Sequence, residues 1–171
     1  MAQVYVSIGS NQDRTRYIRA SLDALHAAFG ELSLSSVYES EAVGFEGDNF
    51  YNLVAGFNTS LTVGQLSKML KQIEDENGRC RQDPRFSGRT LDIDILTYDQ
   101  SVGVVDGIQL PRDEVYSSAF VLLPMAELIP NDCNPENGQT YASMWQAYAE
   151  PQALWKVDFD WNNQRISMAE R

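Results

Sequence analysis

Residues 89–96 read RTLDIDIL. Leu91, Ile93 and Ile95 alternate with Thr90, Asp92 and Asp94, a period of two that predicts a half-buried strand. Aspartate is depleted in strands, yet two of them stand two residues apart, which points both carboxylates to one face. Just upstream, Arg79, Arg81, Arg85 and Arg89 concentrate four of the chain's 13 lysines and arginines between positions 79 and 89. The chain as a whole carries a net charge of −11. An acidic protein that gathers arginine in this way is built to handle a small anion there.

The composition bounds the rest. A chain of 171 residues, 43% apolar and 22% charged, suits one soluble domain over 1–171 with a real core. The negative balance argues against nucleic acid or an anionic membrane as partner. No apolar run approaches the roughly 18 residues of a membrane span. MAQVYVSIGS enters a strand pattern directly, without the basic and apolar regions of a secretory signal, so a cytoplasmic location is expected. Cys80 and Cys133 lack metal-like spacing and are expected as free thiols. A monomer acting on small molecules is the expected form.

Working outward from 89–96, alternation predicts strands at 3–8, 32–40 and 50–60. Ile18, Leu22, Leu25 and Phe29 recur at helical spacing and end at Gly30. Thr62 and Gln65 form a capping box for a helix that buries Leu66, Met69, Leu70 and Ile73 and stops at Asn77-Gly78. The order is β-α-β-β-α-β, an α+β, ferredoxin-like core: an antiparallel sheet with both helices on one face and the other face free to build a site. A hairpin over 98–110, a helix over 119–128 containing Pro124, a short helix over 140–148 and a late strand in ALWKVDFDW (153–161) are C-terminal additions.

Paired carboxylates with few other ligands suit Mg²⁺, which keeps waters and accepts phosphate oxygens. Two such ions about 4 Å apart clamp a transferring phosphorus, and the arginines neutralise the remaining phosphate charge. Acids for metal and arginines for phosphate are the parts of phosphoryl transfer. The competing reading is an exposed strand face whose aspartates pair with the neighbouring arginines. Glu74, one turn before Gly78, either faces the same site or is a solvated helix residue. Phe50-Tyr51-Asn52 offers a ring for stacking and an amide for edge pairing, or else ordinary core packing. Gly9-Ser10-Asn11 is a weak phosphate-turn candidate. There is no GxxxxGK[ST] and no kinase-type GxGxxG. The single histidine, His26, stands on the first helix, which removes serine-histidine triads and most zinc sites.

VSIGSN (6–11), VYES (37–40), FYNLV (50–54), IEDENGRCR (73–81), RFSGRTLDIDIL (85–96) and AFVLLPMAELIP (119–130) together resemble the 6-hydroxymethyl-7,8-dihydropterin pyrophosphokinase family of folate synthesis, with the match strongest over 4–130. The resemblance implies Mg²⁺-dependent transfer of pyrophosphate from ATP to the pterin's hydroxymethyl oxygen, with release of AMP. It implies that Asp92 and Asp94 hold two magnesium ions. Glu74, Arg79, Arg81, Arg89 and Ile95 would lie in the ATP site, with Arg81 and Arg89 acting catalytically beside the aspartates. Asn52 would bond the pterin edge, Phe50 and Phe120 would sandwich its ring, and Ser40 and Val43 would complete the pocket. The chain also departs from the family pattern. Pro111 is followed by Arg112 where the family has histidine, so Arg112 keeps a positive charge toward ATP. Ser118 replaces an arginine, Phe86 and Gly88 replace Trp and Pro, and Ser40-Glu41 stands for Thr-Pro. Two alternatives stay open on these departures: a diverged pterin-binding relative without efficient transfer, and a phosphotransferase for another heterocycle.

Overall fold

In the computed structural model of the chain, residues 1–41, 48–78, 91–150 and 152–170 are described. The frame is mixed α/β, an antiparallel sheet with helices packed against it. β1 (Ala2–Ser10) leads into α1 (Arg14–Phe29), whose buried stripe is Ile18, Leu22 and Leu25, as the spacing predicts. Gly30 ends that helix at φ 79°, a conformation that suits glycine.

The stretch expected as one strand over 32–40 is two, β2 (Ser33–Leu34) and β3 (Val37–Ser40). The break has a physical cause at buried Ser35. Its hydroxyl accepts the Val54 N–H at 2.9 Å and donates to the Ser36 carbonyl at 2.8 Å, so a side chain replaces a backbone acceptor in the ladder. β4 (Phe50–Thr59) follows, then α2 (Val63–Glu76). The capping box of α2 forms as expected: the Gln65 N–H donates to Thr62 Oγ1 and the Thr62 N–H to Gln65 Oε1. β5 (Asp92–Tyr98) is the RTLDIDIL strand.

β6 (Gly103–Val105) and β7 (Ile108–Leu110) make the expected hairpin. Its two-residue turn, Asp106-Gly107, has φ 51° and 81°, the positive pair that a tight hairpin turn requires. Asp106 also accepts the Gly64 N–H at 2.9 Å, which ties the hairpin to the first turn of α2. Then come α3 (Glu114–Ser117), α4 (Ala119–Leu128) and α5 (Tyr141–Ala147). Pro124 sits inside α4, where it can donate no bond to the carbonyl of Phe120 four residues back. The single late strand expected within 153–161 is two, β8 (Leu154–Val157) and β9 (Phe159–Trp161). β9 turns through Asn162-Asn163, both at positive φ, into β10 (Gln164–Ser167).

The main sheet runs β5-β1-β4-β3-β8, with β2 beside β4. Val4, Val6 and Ile8 of β1 stand opposite Phe57, Ala55 and Leu53 of β4, and Val6 and Ile8 stand opposite Ile95 and Ile93 of β5. These residues share one face and are buried with Ile18, Leu22 and Leu25 of α1 and Leu66, Leu70 and Ile73 of α2. The other face is not free, contrary to the expectation. Val54 and Leu96 point from it into a second core with Val121, Leu122 and Met125 of α4 and Tyr141 and Met144 of α5. The apolar residues on both faces require cover, so helices lie on both. The residues at the Phe50 end of this second face, including Asn52, Gly9 and Asp92, do not belong to that second core.

Thr62→Ala removes the acceptor that caps α2 and is expected to cost about 1 kcal/mol of stability. A urea titration should show a lower midpoint at unchanged slope.

Candidate active site

β1 is paired on both sides, and its register builds the site. Gly9 stands opposite Asn52 on β4 and opposite Asp92 on β5, while Ser7 stands opposite Val54 and Asp94. Residues directly opposite in a ladder share a face. Asn52, Gly9 and Asp92 therefore form one row across three strands, with Asp94 in the row behind. The row spans two inter-strand spacings, roughly 9–10 Å. On the next strand Tyr38 lies opposite Asn52, and Ser40 opposite Phe50. Ser40, Phe50, Asn52, Asp92 and Asp94 thus come to one sheet face.

Gly9 makes the row possible. A Cβ there would lie 2.8 Å from Asn52 Oδ1, so the amide occupies the space that any larger residue would fill. Asn52 is 8% exposed. Its Nδ2 donates to Ser40 Oγ at 2.9 Å, which leaves the amide oxygen directed over Gly9. The chain leading to Phe50 is clamped as well. Arg14 bridges Glu39 and the Asn49 carbonyl, each at 3.1 Å, and Asn49 Nδ2 donates to the same Glu39 oxygen. The Arg14 guanidinium lies 4.0 Å over the Tyr51 ring. Arg14, Glu39 and Asn49, with Asn11, Asp13 and Asp48, line a polar cavity of about 510 Å³. Ser10 and Asn11, the weak phosphate-turn candidates, spend side-chain bonds on the Gln12 and Asp48 carbonyls.

On β5 the two aspartates are half-exposed while Ile93 and Ile95 are buried on the opposite face. β5 is an edge strand, so some of its N–H groups have no strand partner. Glu74, 4% exposed, takes the one between the aspartates: Ile93 N–H donates to Glu74 Oε2 at 2.7 Å. This carboxylate is a buried acceptor and not a solvated helix residue. A β-bulge at Leu96 interrupts the pairing with β1, and the Leu96 carbonyl accepts the Arg112 N–H at 2.9 Å. That bond sets Arg112 beside the pair. Its Nη2 lies 3.6 Å from Asp94 Oδ2, and its Nε donates to Glu114 Oε2 at 2.7 Å. Burial alone would lower the Arg112 pKa, but Asp94, Glu114 and Asp92 together hold it above its ordinary value.

The donor set fits a hard cation. Among the described residues no group of three or more His, Cys, Asp or Glu is assembled for a metal. Mg²⁺ is commonly held by one or two carboxylates that share it with waters and substrate phosphates, and two half-exposed carboxylates on one strand face meet that need.

The remaining expected residues fall in several places. Phe120 is half-buried in the first turn of α4, the helix that packs on the same sheet face as Asn52. Ile95 points into the core between the sheet and α1 and α2, so only its backbone can reach a ligand on the aspartate side. Val43, Arg79, Arg81 and Arg89 lie outside the described residues. Gly9 is legible in the sequence only as part of a weak phosphate-turn candidate, not as the position that admits the Asn52 amide, and Glu114 carries no chemical signature there, since a glutamate in a short helix is commonplace. The strand register assigns Gly9 its place in the row, and the Arg112 contact singles out Glu114.

Gly9→Ala should break the Asn52–Ser40 hydrogen bond while leaving the fold intact, seen as a shift of the Asn52 side-chain amide in ¹⁵N-correlated spectra. Glu74→Ala leaves a buried N–H without its acceptor and should cost about 1–3 kcal/mol, whereas Glu74→Gln, which keeps an acceptor oxygen, should lose less. Chemical denaturation of the two variants compares them.

The family model described as 7,8-dihydro-6-hydroxymethylpterin-pyrophosphokinase (HPPK) matches residues 5–130. The chain is 37% identical over 128 residues to the 2-amino-4-hydroxy-6-hydroxymethyldihydropteridine pyrophosphokinase of Bacillus subtilis, covering 72% of this chain and 76% of that one. It is 36% identical over 137 residues to the enzyme of the same name from Aquifex aeolicus, covering 79% and 85%. Among solved structures, Plasmodium falciparum HPPK-DHPS with pteroate superposes with a TM-score of 0.65 at 13% identity over 86% of this chain. This chain spans only 42% of that larger protein, and the likeness is one of fold. With the family's model covering both the Asn52 row and the aspartate strand, the chain belongs to the 7,8-dihydro-6-hydroxymethylpterin-pyrophosphokinase family.

Proposed function

We propose that the chain transfers pyrophosphate from ATP to the hydroxymethyl group of 6-hydroxymethyl-7,8-dihydropterin and releases AMP, a step of folate synthesis. The observation that carries this reading is the single row Asn52–Gly9–Asp92, which sets an amide and a neighbouring ring beside a carboxylate pair on one face. In the reaction the pterin's hydroxymethyl oxygen bonds to the β-phosphorus of ATP, and the bond from that phosphorus to the oxygen bridging it to the α-phosphorus breaks. That bridging oxygen leaves as part of AMP, and the hydroxyl proton passes to solvent.

The chain's own residues divide the work between binding and orientation. Asn52, held by Ser40, presents its amide oxygen to the edge of a flat heterocycle. Phe50, together with Phe120 from α4, stacks on the ring faces, and the backbone near Ser40 and Val43 closes the pocket. Asp92 and Asp94 would hold two magnesium ions, which would neutralise phosphate charge beside the transferring group. Arg81 and Arg89 supply positive charge to that group as it moves, and Arg79 and Arg112 flank the nucleotide. Ile95 contributes backbone to the ATP site. Glu74 orders β5 between the aspartates and so positions both ligands. Holding the two substrates in one geometry is the main source of rate in such a site.

The strand order β5-β1-β4-β3, with α1 and α2 on one face, supports a ferredoxin-like core within a single unit over 1–171. No helix among the described residues is long and apolar enough to cross a membrane. The free, exposed Cys133 thiol accords with a reducing, cytoplasmic setting. The acidic balance favours small-molecule substrates over nucleic acid or membrane, and we read the active species as a monomer.

A second reading, a pterin-binding relative with little transfer, is favoured by the Arg112–Asp94 contact and by Ser118, whose backbone caps α4 and which brings no charge. The two readings separate on AMP release with ATP, Mg²⁺ and hydroxymethyl-dihydropterin. Magnesium-dependent AMP and a product heavier by two phosphates support transfer; pterin binding by calorimetry without AMP supports the second. For transfer, Asp92→Asn should lower kcat/KM on the order of a hundredfold with an unchanged melting temperature. Retained turnover would remove Asp92 from the metal role.

A further inference from the structure

We infer that Arg112 competes with divalent cations for Asp94, so that this chain carries a built-in counter-cation at its metal position. The inference rests on the reading of Asp94 as a metal ligand and goes beyond it. Arg112 is anchored by its backbone to the Leu96 carbonyl, two residues from Asp94 on the same strand, so its side chain cannot leave the neighbourhood. Arg112 reaches Asp94 Oδ2 through Nη2 at 3.6 Å, long for an ion pair and through one guanidinium nitrogen rather than a bidentate fork. Nε is held more tightly, at 2.7 Å, by Glu114. The guanidinium therefore has a strong tether and a weak one. Asp94 is the weak one and the replaceable one.

All three side chains are about one-third exposed, at 35%, 37% and 35% for Arg112, Asp94 and Glu114, so the contact is partly screened by water. A divalent ion binds a carboxylate more strongly than a single screened nitrogen does, since its charge is twice as large and its approach closer. When an ion takes Asp94, Arg112 stays on Glu114 and turns its free nitrogens toward whatever anion accompanies the metal. The same residue thus weakens metal binding in the absence of a nucleotide and adds positive charge beside phosphate in its presence. Selection against idle metal uptake is the specific property this predicts.

The test is Mn²⁺ binding to the full chain without nucleotide, read from the free-ion signal in electron paramagnetic resonance. Arg112→Ala keeps the N–H that anchors the segment to Leu96 and should bind Mn²⁺ roughly two- to five-fold tighter than the wild type, the size of a partly exposed ion pair. Arg112→Lys, which retains a cation on the same backbone, should return affinity toward the wild-type value. Arg112→Ala binding no tighter than the wild type overturns the competition, including the case in which neither binds measurably. Adding Asp94→Asn to Arg112→Ala separates the two levels. Loss of the gained affinity places the metal on Asp94, while retention shows that the metal reading itself fails.

Discussion

The pairing of β1 with strands on both sides is the constraint on which the site depends. A side chain's face alternates along a strand, so a slip of one residue would exchange the two faces completely. Val4, Val6 and Ile8 must meet α1 and α2, and this same requirement puts Gly9 on the opposite face between Asn52 and Asp92, and Ser7 between Val54 and Asp94. The hydrophobic contact and the chemical row are one event. The buried apolar residues of α1 and α2 therefore hold the distance between the Asn52 amide and the acidic pair.

Polar groups near the core are tolerated because each has a named partner. The buried Glu74 carboxylate accepts an edge N–H of β5, the Asn52 amide donates to Ser40, and the Ser35 hydroxyl stands in for a backbone acceptor at the β2–β3 break. Leaving such groups unpaired would cost about 1–3 kcal/mol each, a large share of a domain's net stability. These bonds also fix geometry: an acceptor locked between two aspartates sets the strand that carries them, and a hydroxyl locked to an amide sets the amide's other end.

The segments after the match to the family model serve the frame. β8 pairs with β3 and covers the sheet edge opposite β5. Ser167, at the end of β10, accepts the Val37 N–H at 2.9 Å and donates to the Val157 carbonyl at 2.6 Å, stitching the C-terminal hairpin to that edge. Trp161 donates to Asp23 and meets His26 edge-on, so the lone histidine is a packing partner of this hairpin. On the second face, α4 and α5 cover Val54 and Leu96 and bring Phe120 to the side of the sheet that carries Asn52.

Local rules were enough for much of this chain. Period-two alternation located β1, β4 and β5, helical spacing located α1 and α2, and Thr62 with Gln65 marked where α2 begins, because each of these signals lies within a few neighbouring residues. The shared face of Asp92 and Asp94 also followed from spacing alone. Other features needed the tertiary structure. The cover on the second face, the splitting of 32–40 at Ser35, the burial of Glu74, the need for glycine at position 9 and the grip of Arg112 on Asp94 all join residues 18 or more positions apart. Such contacts depend on strand order and register, which arise only when separate segments bury their apolar faces together, and no local pattern in one stretch encodes its partner in another.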